Sequence, residues 1–229
     1  MKRLFTILSL TVAMFALSAN VESSAQDRSY IKNAISNWGE CRNVTITRTN
    51  GNVAIYGTNG NAREGVPSQM SDALQSLNDE GKTITDLHLS EDGAWVIVYN
   101  GNGIWRAGID DEFEQELLEC NREGETITSI SFNDNGEWVI VSEEYIRSSS
   151  TEITNWLSEG SDEYGTLISV CMTDDSMVAV YEEGYKFIGD VPESLKKELY
   201  KTSIDVTRVK FAGQSWFISD EEGTYSYRM

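Results

Sequence analysis

The sequence predicts a mainly β fold with one helix per repeat, in which five units of a helix plus three strands curl into a propeller-like toroid. Three observations lead there. A segment of the chain recurs, most clearly as Ile84-Thr-Asp-Leu-His-Leu-Ser-Glu-Asp-Gly-Ala-Trp-Val-Ile-Val and Ile127-Thr-Ser-Ile-Ser-Phe-Asn-Asp-Asn-Gly-Glu-Trp-Val-Ile-Val, with Gly93 and Gly136 lying 43 residues apart. A period in the range of about 20–50 residues marks one supersecondary unit stacked on copies of itself. The second strands Trp95-Val-Ile-Val, Trp138-Val-Ile-Val and Met177-Val-Ala-Val are continuously apolar. A sheet with one wet face would alternate instead, so these strands are expected to be covered on both faces. Finally, neither end of the array reads as a polar cap. The first unit carries Ile31, Ile35 and Trp38, and the last Val209, Phe211, Trp216 and Ile218. An open stack leaves its ends exposed, whereas a ring packs the first unit on the last. The alternative architecture is an open α/β solenoid.

The second unit shows the parts of a repeat best. Val66-Pro67 places a proline where a helix can begin without losing a hydrogen bond. Met70, Leu74 and Leu77 follow at helical spacing, and Gly81 ends the segment. Ile84, Leu87 and Leu89 form a first strand, Ser90 to Gly93 a turn, Ala94 to Tyr99 a second strand, and Ile104 to Ala107 a third. The units divide at approximately 27–65, 66–108, 109–147, 148–189 and 190–229, within one repeat domain spanning 26–229. Both prolines of the chain, Pro67 and Pro192, stand at helix starts, which fits a domain without linkers.

Residues 1–25 read as a secretory signal peptide. Lys2 and Arg3 precede an uncharged apolar stretch from Leu4 to Ala19, and Ser23-Ser24-Ala25 offers small residues for cleavage before Gln26. The expected destination is the periplasm or the outside of the cell, with no membrane insertion after cleavage. Of the 18 Lys+Arg and 37 Asp+Glu, the signal holds Lys2, Arg3 and Glu22. That leaves 16 basic and 36 acidic residues and a net charge of −20. Such a charge repels nucleic acid and anionic lipid. The three cysteines cannot all pair. Cys171 reads as a buried thiol, and Cys41 and Cys120, both placed after helices, as unbridged.

The segments Leu89-Ser-Glu-Asp-Gly-Ala-Trp-Val-Ile-Val-Tyr and Phe132-Asn-Asp-Asn-Gly-Glu-Trp-Val-Ile-Val-Ser resemble the strand–turn–strand hairpin of the WD40-like propeller repeats in exported bacterial proteins of the TolB type. The match covers about eleven residues in each of two units. The chain departs from that pattern in its helix per unit and its three strands. The resemblance implies a protein partner bound at the end of a ring and carries over no site residues.

Motifs of catalysis are sparse. The one histidine, His88, lies between Leu87 and Leu89 and reads as a structural residue, because neither an orienting partner nor a zinc ligand set accompanies it. No Gly-x-Ser-x-Gly element and no phosphate-cradling glycine loop occurs. The acidic turns at Glu91-Asp92-Gly93 and Asp134-Asn135-Gly136 are too short for a calcium loop. No metal or cofactor is therefore expected. Trp105, Tyr145, Tyr185 and Tyr225 recur just after the second turn of four units. At equivalent positions they would make a row able to take up a peptide or stack on sugars. The expectation is an exported acidic monomer acting as a macromolecular binding module with a protein partner. The alternatives are a glycan-binding protein and a carboxylate-dependent hydrolase.

Overall fold

The computed structural model describes residues 28–229; the expected signal peptide and its cleavage point lie outside the described residues. The order helix, strand, strand, strand occurs five times. The first unit contains α1 (Ser29–Trp38), β1 (Asn43–Ile46), β2 (Asn52–Tyr56) and β3 (Gly60–Glu64). The second contains α2 (Ser68–Asp79), β4 (Ile84–Leu89), β5 (Trp95–Tyr99) and β6 (Gly103–Ala107). The third contains α3 (Asp111–Glu123), β7 (Ile127–Phe132), β8 (Trp138–Ser142) and β9 (Ile146–Ser148). The fourth contains α4 (Thr151–Tyr164), β10 (Leu167–Met172), β11 (Ser176–Tyr181) and β12 (Gly184–Gly189). The fifth contains α5 (Glu193–Lys201), β13 (Arg208–Ala212), β14 (Ser215–Ser219) and β15 (Tyr225–Arg228). Each unit makes its own antiparallel three-stranded meander.

Local chemistry sets these boundaries. Pro67 and Pro192 precede α2 and α5. Asp110 caps α3 by accepting from the Phe113 N–H at 2.7 Å, and Ser150 caps α4 by accepting from the Ile153 N–H at 3.2 Å. Gly93 and Gly136 take φ values of 90° and 81° in the first hairpin turns, a region that β-branched or bulky residues avoid. Cys120 differs from its expected place. It lies inside α3 on the buried stripe with Phe113 and Leu117, because that helix continues to Glu123 and ends at left-handed Gly124. All three thiols are buried and unbridged.

The first strands stand at the middle. β1 packs on β4, β4 on β7, β7 on β10 and β10 on β13, and β13 packs back on β1. The seam between the last and first units is bonded directly. Cys41 N–H donates to Gly223 O at 2.9 Å, and Ser219 Oγ–H donates to Arg42 O at 2.6 Å. The five units therefore form a ring, and the apolar ends of the array cover each other.

Each helix wedges between two sheets. α2 sets Met70, Leu74 and Leu77 against Leu87, Trp95 and Ile97 of its own unit and against Val53 and Ile55 of the unit before. The opposite face of β5, Val96 and Val98, meets Phe113 and Leu117 of α3. β8 and β11 repeat this arrangement against α4 and α5. At the seam, Phe217 of β14 meets Ile31 and Ile35 of α1. This two-sided cover is why the second strands read as unbroken apolar runs.

Candidate functional site

Alternation along the first strands divides their side chains into two sets. One set, including Val44, Leu87, Ile130, Val170 and Val209, joins the cores beneath the helices. The other set is mostly polar and faces the axis and the neighbouring unit. It forms two tiers, Asn43, Asp86, Ser129, Ser169 and Arg208, then Thr45, His88, Ser131, Cys171 and Lys210. Except for half-buried Arg208, all of these are buried.

Several of these polar groups join neighbouring units from the first to the fourth. Asn43 Nδ2–H donates to Asp86 Oδ1 at 2.7 Å. Asp86 Oδ2 accepts from the Ile130 N–H at 2.8 Å, and Ser129 Oγ accepts from the Val170 N–H at 3.2 Å. In the second tier Thr45 Oγ1 accepts from the Leu89 N–H at 3.0 Å, and Ser131 Oγ from the Met172 N–H at 2.8 Å. Lys210 spans the centre, donating to Asp86 Oδ1 at 3.0 Å and to Leu87 O at 3.1 Å. Most buried polar groups are bonded, and here those bonds hold one unit to the next, while Asn43 Oδ1 and Ser169 Oγ of these tiers have no partner among the described residues.

The environment sets the charge of each group. Burial pushes the Asp86 carboxyl up, but Lys210, Arg208, the Ile130 N–H and Asn43 outweigh it and hold the carboxyl below its usual range. Burial, then Lys210, depress His88 to about 3, so its ring is neutral near pH 7. His88 Nδ1 lies 3.4 Å from Ser131 Oγ, which has the outline of a base beside a nucleophile. Ser131 is fully buried, however, and its oxygen is engaged by the Met172 N–H. Burial pushes the Cys41 and Cys120 thiols up to about 12 and raises Cys171 as well.

The two mouths of the axis differ. At one, a narrow cavity of about 30 Å³ runs from Arg48, Glu91, Asp134 and Asp174 down to His88 and Lys210. The acidic turns around it bind one another. Glu91 accepts from the Arg48 and Thr49 N–H groups at 2.6 and 3.2 Å. Asp134 accepts from the Asp92 N–H at 3.2 Å, and Asp174 from the Asp134 N–H at 3.1 Å. The Arg48 guanidinium closes the circle on Asp174 at 3.3 Å. These carboxylates are spent on neighbouring backbone, and among the described residues no group of three or more His, Cys, Asp or Glu could hold a metal ion. The other mouth holds a cavity of about 260 Å³ beside Arg42 and Arg208.

The four aromatic residues singled out by sequence lie in or next to the outer strands but do not share one position. Tyr185 pairs with Val180 and Tyr225 with Ser219, which are equivalent places. Trp105 pairs with Ile97, one residue further along, and packs with Tyr99 into the core beneath α2. Tyr145 precedes β9 and is exposed. Tyr225 stacks on Phe217 and Tyr227 near α1. No single aromatic row results. The structure instead joins Tyr185 to residues that the sequence did not indicate, Phe187 and Tyr200. Tyr200 of α5 stands edge-on to Tyr185 at 5.8 Å and to Phe187 at 6.2 Å. Tyr200 is 70% exposed and Ile188, next to Phe187 on the free edge strand β12, is 49% exposed.

No protein-family model and no curated protein matches this chain. The site must therefore be read from its own chemistry. Three features stand out: a bonded polar axis, an arginine-lined mouth, and an exposed aromatic group at the rim of the fourth and fifth units. No helix among the described residues is long and apolar enough to cross a membrane.

Proposed function

We propose that this protein is an exported binding module that docks a protein partner on the aromatic group at its rim. One observation carries the reading: Tyr200 is the most exposed of the large apolar side chains among the described residues, yet Tyr185 and Phe187 hold its ring edge-on. Tyrosines held in this way give contact area at low entropic cost and are favoured anchors of interfaces. The edge strand β12 beside them offers unpaired backbone groups, which an extended segment of a partner can join. The acidic surface, with 36 carboxylates against 16 basic residues after the leader, steers basic partners toward the ring. The resemblance of two hairpins to TolB-type propellers supports the same class of function.

The test is a paired capture from the native envelope or medium with wild-type protein and with Tyr200→Ala and Ile188→Asp variants. A protein retained by the wild type and released by both variants supports the reading. Equal retention by all three would remove the rim from consideration. Retention of polysaccharide alone would favour the glycan reading.

A further inference from the structure

The arginine-lined mouth lies apart from the rim and rests on different observations. Arg48, Arg106, Arg122 and Arg147 each pair with a carboxylate. Among the described residues Arg42 and Arg208 have no such partner, as is also true of Arg63 and Arg228. Arg42 Nε–H donates to Gly57 O, and its Nη2 donates to Thr58 O at 3.1 Å and Ile84 O at 2.9 Å. Arg208 donates to Thr207 O at 2.9 Å and Thr128 O at 3.0 Å. Backbone carbonyls hold both guanidinium groups in place without neutralising them. The two cations are close enough that Arg208 helps burial keep the Arg42 pKa below its usual value. Holding two like charges together costs stability, a cost that Glu40 and Glu221 near Arg42 offset only in part.

Two further groups lining the same cavity lack partners. Asn43 is 97% buried, and neither its Oδ1 nor Thr207 Oγ1 makes a hydrogen bond among the described residues. The Asn43 amide cannot turn over, because its Nδ2–H is committed to Asp86. Its free oxygen therefore accepts only, and asks for an N–H or O–H donor. Asp220 and Glu221 stand at the same mouth, so the local charge is balanced. A dianion would face two carboxylates as well as two arginines. A carboxylate joined to an ammonium or amide N–H satisfies both halves of the site. The volume of about 260 Å³ suits a molecule of few heavy atoms and is below the usual size of drug-like pockets.

We propose that the cavity between Arg42, Asn43, Thr207, Arg208 and Glu221 binds a small molecule carrying a carboxylate beside an N–H donor, of the class of α-amino acids. The arginines take the carboxylate, and Asn43 with the acidic pair takes the nitrogen. The experiment is a titration of ¹⁵N-labelled full mature chain with each standard amino acid, with the dipeptide Ala-Ala and its C-terminal amide, and with inorganic phosphate. Saturable shifts at the Thr207 amide and the Arg42 and Arg208 Nε–H signals are expected with at least one free amino acid. Shifts with Ala-Ala alone, lost in its amide, would assign the same chemistry to a peptide terminus. Glu221→Gln, on an exposed side chain, should leave the fold intact and weaken binding by about tenfold, the loss expected for one charge-assisted hydrogen bond. Arg208→Gln should abolish it. The absence of saturable shifts with every amino acid and dipeptide at millimolar concentration, or binding of phosphate only, would overturn the proposal. So would an amino-acid affinity unchanged in both variants.

Discussion

Lys210 Nζ lies 3.0 Å from Asp86 Oδ1, joining the first strands of the fifth and second units across the centre of the ring. The two residues are 124 positions apart and almost completely buried. Neither belongs to an apolar core, and both sit where a propeller-like ring would otherwise have a channel.

Removing one member of this pair leaves a buried charge without its partner. Asp86→Asn and Lys210→Met are each expected to destabilise the fold by about 3–5 kcal/mol. The double variant should cost clearly less than the sum, because the two effects share one interaction. Denaturant midpoints of the three variants measure this coupling. Additive losses would show that the pair does not bind across the axis.

The axis also makes stability depend on pH. In the unfolded chain His88 takes up a proton near its ordinary value of about 6.5. In the fold it does so only near 3, held neutral by burial and by Lys210. Between these values the unfolded chain binds the extra proton, so stability falls as pH falls through that window. The slope from this group approaches about 1.4 kcal/mol per pH unit. Asp86, also held below its usual value, adds its own loss at more acidic pH. His88→Gln should flatten the decline between about pH 6 and about pH 4 while leaving the steeper acid limb. An unchanged slope would mean that His88 titrates alike in both states.

Trp95 and Trp138 head the doubly covered strands and are 4% and 3% exposed. Trp138 stacks on Phe113 of α3 at 5.4 Å. Replacing either tryptophan by alanine should cost about 3–5 kcal/mol, as for other buried aromatic truncations. Wild-type unfolding midpoints in both variants would place these rings outside the core.

Much of this architecture was legible in the sequence because it rests on local patterns. The Gly93 and Gly136 turns, Pro67 and Pro192 before their helices, and the apolar runs at Trp95 and Trp138 each point to one element. The apolar ends of the array pointed to the ring. The polar axis was partly visible, since Asp86 and His88 alternate with Leu87 and Leu89, as Arg208 and Lys210 do with Val209 and Phe211. What sequence could not give is that Asp86 meets Lys210, because that contact depends on how five units close. The aromatic expectation shows the same limit. Trp105, Tyr145, Tyr185 and Tyr225 follow their turns at similar spacing, but register places Trp105 one residue from Tyr185 and turns it into the core. Tyr200 lies on a helix in another unit from Tyr185, so no spacing rule could join them.

Tyr200 tests the account most directly. A photo-crosslinking residue placed at position 200, and as a control at Glu112 on α3, should be introduced in the full-length protein in its native host. Position 200 should give one defined protein adduct that unlabelled wild-type protein competes away and the Tyr200→Ala variant does not. No adduct at position 200, or the same adducts at position 112, would contradict a partner-binding rim.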